Sequence, residues 1–139
     1  MTMKAFFITT AALEVGAGLT LLLSPLQAAT LLLGTSPAGP EAVLFEKIAG
    51  CALVALALAN WLARNDSQSV AARGIAWGMM IYNLGVLEFL FPFAFVSLVP
   101  PHLQPQIQQQ AVGVLLWPAV VLHILMSIWC GLCLAKKRV

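Results

Sequence analysis

The chain has 139 residues, 61% of them hydrophobic and 9% charged, with a mean hydropathy of +0.95. A soluble domain carries roughly a quarter charged residues, so this composition lies far outside the soluble range. The formal net charge of +2 is too small and too dispersed for a nucleic-acid footprint, and no nucleic-acid partner is expected.

Four apolar stretches fill the chain. They run over about Lys4–Ser24, Ala42–Leu62, Arg73–Val96 and Ala111–Leu134. Each reaches the roughly 20 residues that cross a ~30 Å hydrocarbon layer as a helix. Open backbone polar groups are not tolerated there, and the runs lack the strict alternation of a β-barrel. The expected fold is all-α: one integral-membrane domain over residues 1–139, an antiparallel bundle of four transmembrane helices.

The first span carries Thr10, Glu14, Gly18, Leu21 and Pro25 on one face, at steps of three or four. Its opening, a lysine before an apolar run, also resembles a signal peptide. Glu14 within the run, and its continuation to Leu33, favour an uncleaved helix. A breaker-rich loop, Gly34-Thr35-Ser36-Pro37-Ala38-Gly39-Pro40, follows.

The second span aligns Glu46, Gly50, Leu53, Ala57, Asn60 and Arg64. Glu46 and Lys47 lie near the membrane surface, where long side chains snorkel at little cost and read as a solvated pair. Cys51 stands alone. After the polar loop Arg64–Ser69, the third span aligns Gly74, Gly78, Gly85, Glu88 and Pro92, a stripe expected to face the bundle interior. Asn83 is at midplane depth but points almost opposite to that stripe. It faces a neighbouring helix, a second subunit, or the cavity itself if the glycines form only a packing seam. Phe89, Phe91, Phe93 and Phe95 crowd the outer end of this span, and Trp61 and Trp77 mark the inner interface, as membrane-belt anchors do. A quinone or lipid groove lined by the phenylalanines is the alternative.

A Pro-rich connection, Pro100–Pro105, precedes the last span, which aligns Gln109, Val112, Leu116, His123, Ser127 and Cys130. Pro92 and Pro118 are expected to bend their helices and widen the outer end of the bundle. The C-x-x-C at Cys130–Cys133 falls near the cytoplasmic end and reads as small helix residues rather than a redox motif. His102 and His123 are too differently placed to share a haem, and no zinc spacing is present.

Six of the seven basic residues, Lys4, Arg64, Arg73, Lys136, Lys137 and Arg138, fall on one side of these spans. The positive-inside bias then puts both termini and the middle loop in the cytoplasm, with the chain multipass in the cell's inner (cytoplasmic) membrane. By depth, Glu14 and His123 meet near the midplane, with Glu88 in the outer half. Charge at such depth is costly, and ionisable groups there mark function by default. Glu14, Glu88 and His123, with Asn83 as a fourth, are therefore the candidate ligand-binding residues, around a polar cavity that opens outward. The competing reading for each is a hydrogen bond that pins two helices together.

Segments such as Glu46-Lys47-Ile48-Ala49-Gly50, Trp61-Leu62-Ala63-Arg64, Arg73-Gly74 to Tyr82-Asn83, and Leu116-Trp117-Pro118-Ala119 with His123 resemble small four-helix bacterial membrane proteins of the DoxX-like type. That resemblance implies a quinone-proximal redox role and carries over no catalytic residue. Three functions follow from the sequence. The first is binding of a small lipophilic or amphipathic ligand, with quinone or lipid as the candidate occupant. The second, which the resemblance implies, is a quinone-linked oxidoreductase subunit. The third is proton-coupled transport of a small solute through Glu14 and His123, by a homo-oligomer joined along the Gly74–Gly78–Gly85 seam.

Overall fold

A computed structural model describes residues 2–36, 39–100 and 112–135. They form five helices and no strand: α1 (Met3–Leu23), α2 (Pro25–Leu33), α3 (Pro40–Ala63), α4 (Val70–Val96) and α5 (Leu116–Ala135). By length and composition, α1, α3, α4 and α5 can each cross a membrane.

Local chemistry sets the boundaries. The Thr2 hydroxyl caps α1 by accepting from the Ala5 amide at 3.2 Å. At its other end the Ser24 amide donates to the Thr20 carbonyl, and Pro25, with no N–H to give, starts a new helix. Hence α2, a separate helix where the sequence reading had the apolar run of the first span continue to Leu33. Gly34 closes it at φ 79°, a left-handed conformation that suits glycine. The Ser69 hydroxyl caps α4 through the Ala72 amide at 3.1 Å.

The last helix begins at Leu116, not near residue 111. Pro118 explains the difference. A helix running through from 111 would need the Pro118 N–H, whereas in a first turn that donor is dispensable. Pro118 therefore does not kink α5 in mid-membrane. The 112–115 segment instead lies against α2, where the Leu115 amide donates to the Leu31 carbonyl at 2.8 Å. Pro92 stays inside an unbroken α4.

Two tight helix pairs make up the molecule, α1 with α3 and α4 with α5, and the pairs touch each other far less. Along the first pair Glu14 meets Asn60, Gly18 lies on Gly50 and Val54, and Leu21 and Leu22 lie on Gly50. A Cβ at Gly18 would stand 2.9 Å from the Gly50 carbonyl oxygen, and the converse distance is also 2.9 Å. Glycine at both positions is what lets these backbones approach. In the second pair the Arg73 guanidinium donates to the Leu134 carbonyl, the Cys130 thiol to the Ala76 carbonyl, and the Trp117 indole to the Ser97 hydroxyl. In both pairs the contacts climb one helix as they descend the other.

Apolar side chains gather at two levels. Met3, Phe6, Phe7, Ala63, Ala72, Ala76, Met79, Met126, Cys130, Cys133 and Leu134 form one cluster. Ala94, Leu116 and Val120 form another, against Leu32, Leu87, Leu90 and Val112. Asn83 and His123 lie along α4 and α5 between them.

Candidate functional site

Between the two clusters is a hollow of about 90 Å³ lined from all four long helices. Thr10, Leu13, Glu14 and Ala17 come from α1 and Leu53 from α3; Met79, Tyr82 and Asn83 come from α4; Leu122, His123 and Met126 come from α5. It lies where the helix pairs face one another, which is where loose packing leaves room.

The polar part of the wall is held by specific bonds. The Glu14 side chain is 5% exposed, and its Oε2 accepts from Asn60 Nδ2 at 3.2 Å. The same amide donates to the Leu56 carbonyl at 2.9 Å, so Asn60 is tied to its own helix while it holds Glu14. On the other wall the Asn83 amide donates to the Met79 carbonyl at 2.7 Å. That bond orients the Asn83 Oδ1 toward His123 Nδ1, 2.8 Å away. Nδ1 therefore carries a proton, and in the neutral ring Nε2 is left as an acceptor. The Tyr82 ring packs edge-on against the imidazole with centroids 5.9 Å apart.

Three of the four sequence candidates, Glu14, Asn83 and His123, thus border one hollow. Glu14 and His123 do not bond each other directly; each is held by an asparagine. Glu88 does not join them. It is exposed on α4, as are Gly74, Gly78 and Pro92, and a Cβ at Gly74, Gly78 or Gly85 would meet nothing within 4 Å. The interior face of α4 is instead Ala72, Ala76, Met79, Asn83 and Ala94, which corrects the expected orientation of the glycine stripe. Asn83 takes the first of its three expected placements, facing a neighbouring helix through His123, and there it also borders the hollow.

The stripes on the other spans agree better. Thr10, Glu14 and Gly18 are buried on α1, and Gly50, Leu53, Ala57 and Asn60 on α3. Leu116 and Cys130 are buried on α5, and His123 and Ser127 half-buried; Gln109 lies outside the described residues, as do His102 and the Lys136–Arg138 run. Asn60, which holds Glu14, is a residue that the sequence places on the right face without pairing it to Glu14.

The hollow does not open as expected toward the outer end. Its exposed lining residues are Leu13, Ala17 and Leu122, on the flanks of α1 and α5, so its mouth is sideways through the bundle wall. Phe89, Phe91, Phe93 and Phe95 are exposed and none of them lines the hollow, and Phe91 and Phe95 stack at 6.4 Å. Trp61 and Trp77 are also exposed, and the Arg64 guanidinium sits 3.9 Å over the Trp61 ring. Cys130 and Cys133 are buried and no disulfide joins them. Among the described residues no group of three or more His, Cys, Asp and Glu side chains could hold a metal.

No family model, no curated protein and no solved structure matches the chain.

Proposed function

We propose that the chain is a multipass protein of the cytoplasmic membrane that holds the polar end of a small lipophilic or amphipathic ligand in the hollow beside Glu14, Asn83 and His123. In this reading the four long helices form an antiparallel bundle with both termini in the cytoplasm. The opposed order of contacts along each helix pair and the one-sided distribution of basic residues support that arrangement.

One observation carries the ligand reading. Polar side chains from three helices border a hollow at the weakest junction of the bundle, and two of the lining residues, Thr10 and Glu14, each keep a buried oxygen with no hydrogen-bond partner. A purely structural pin between helices would be satisfied internally, because an unmet buried polar group costs about 1–3 kcal/mol. Apolar walls with a few convergent polar groups are the usual make-up of a small-molecule site. A volume of about 90 Å³ takes a head group, while the sideways mouth lets a hydrocarbon tail remain among the lipids.

Native mass spectrometry after gentle extraction tests this reading. The expected result is a one-to-one adduct on the native chain that is lost from the His123→Leu variant. A bare chain, or lipid adducts identical in both proteins, would refute it.

A further inference from the structure

Glu88 takes no part in the hollow, yet it sits within a span and is exposed. In the orientation proposed above it lies on the outer side of Asn83, which marks the level of the hollow on α4. Five residues separate the two, or about 7.5 Å at ~1.5 Å per residue. Lys47 is exposed on α3, six residues before Leu53, which lines the same hollow. Because α3 runs inward, Lys47 stands about 9 Å out on the same side. The opposite charges are therefore level to within about 2 Å, inside the outer half of a ~30 Å hydrocarbon layer centred on the hollow. Among the described residues neither side chain has an ion pair or hydrogen bond.

A lone lysine at that depth snorkels to the head groups, but glutamate has a shorter stem. Ionisable groups within spans are rare on lipid-facing surfaces and pair with one another. Lys47 is the one basic residue of the chain on the outer side, and its own Glu88 is out of its reach. A second copy supplies it at the matching level. Helices α3 and α4 touch each other and so border one side of the molecule. A half-turn about the membrane normal lays that side on its own copy, with α4 against α3 of the second copy and α3 against its α4. Such a twofold interface is self-complementary.

The facing helices run antiparallel. A register with Lys47 of one copy beside Glu88 of the other brings Ala55 to Ile81, Leu58 to Gly78 and Leu62 to Gly74, within one residue. All six are exposed in the single chain, and each pair sets a large residue against a small one. A Cβ at Gly74 or Gly78 meets nothing within 4 Å, so both positions have room for a leucine of the second copy.

We propose that the chain pairs with a second copy through α3 and α4, each Glu88 held by Lys47 of the other copy. The pairing is independent of what occupies the hollow.

The test counts subunits. Full-length chains labelled with one of two fluorophores are reconstituted at low density into phosphatidylcholine liposomes, and photobleaching steps and colour coincidence are recorded. The native chain is expected to pair. Glu88→Lys or Lys47→Glu alone sets like charges together at both contacts and should weaken pairing at least about tenfold. Mixed with each other, the two variants should pair again, because every contact then joins opposite charges. Gly74→Leu disturbs no contact within the chain but meets Leu62 of the second copy, so it should be single even if the charge variants fail to fold. Any of four results would overturn the assignment: a native chain that stays single, folded charge variants that pair as the native chain does, a mixture of them that pairs no better than its components, or native-like pairing of Gly74→Leu.

Discussion

Replacing Asn60 with leucine should destabilise the bundle mainly through what it does to Glu14. Leucine keeps asparagine's branched outline but is bulkier, and the overpacking it causes at this fully buried position is common to the single and double variants, so it cancels in the comparison below. The 3.2 Å bond to Glu14 Oε2 is lost, and the carboxyl is left with neither oxygen bonded. An orphaned buried polar group costs about 1–3 kcal/mol in water-soluble proteins. Interhelical bonds in membranes average nearer 0.6 kcal/mol, with a maximum of about 1.7, because chains unfolded in lipid also find partners. A loss of about 1 kcal/mol, or roughly fivefold in the unfolding constant, is therefore expected for Asn60→Leu. Glu14→Leu removes the same bond from the other side, and the double variant has nothing left to orphan. Its destabilisation should fall short of the sum of the single variants by about 1 kcal/mol. Reversible unfolding in mixed micelles, followed by the fluorescence of the four tryptophans, measures all three. Additivity within about 0.5 kcal/mol would refute the Glu14–Asn60 contact, and with it the alignment of α1 on α3.

Other outcomes follow from single contacts. Gly18→Ala should cost about 1–3 kcal/mol in the same assay, since its Cβ would stand 2.9 Å from both the Gly50 oxygen and a Val54 methyl. Gly78→Ala, whose Cβ meets nothing, should be neutral or slightly stabilising; equal losses at the two positions would contradict the α1–α3 crossing. Ser69→Ala removes the cap of α4 and should lower stability by about 1 kcal/mol, with amide exchange rising first at Ala72. Arg73→Ala should speed exchange in the last turn of α5, where the guanidinium now holds the Leu134 carbonyl, and leave the Asn83 and His123 signals unmoved.

Most of this architecture is legible in the sequence because membrane helices advertise their inner faces with small and polar residues. Thr10, Glu14 and Gly18 on one span, and Gly50, Ala57 and Asn60 on another, repeat at helical spacing, and all six are buried. That rule misleads on α4. Three glycines there outnumber one asparagine, yet a glycine only permits close approach and does not demand it, whereas Asn83 must find partners and does. Since both faces of such a helix are apolar, periodicity alone cannot tell them apart. The pairing of Glu14 with Asn60 rather than His123 was hidden for another reason. Depth along a span places side chains at a level, but which neighbours meet depends on helix order around the bundle, and sequence spacing does not encode that order. Pro25 and Pro118 mark α2 and the late start of α5 in the sequence, because a missing N–H limits where a helix can run through even when the residues around it are apolar.

Solid-state NMR in lipid bilayers, with ¹⁵N-labelled histidine and ¹³C-labelled asparagine side chains, observes directly whether polar groups from separate spans meet inside the bundle. One of the two histidines should show a protonated Nδ1 and strong dipolar coupling to an asparagine side-chain carbon, the signature of the 2.8 Å His123–Asn83 bond. An imidazole coupled only to acyl-chain protons, with no asparagine beside it, would mean that His123 faces lipid and that no shared hollow exists.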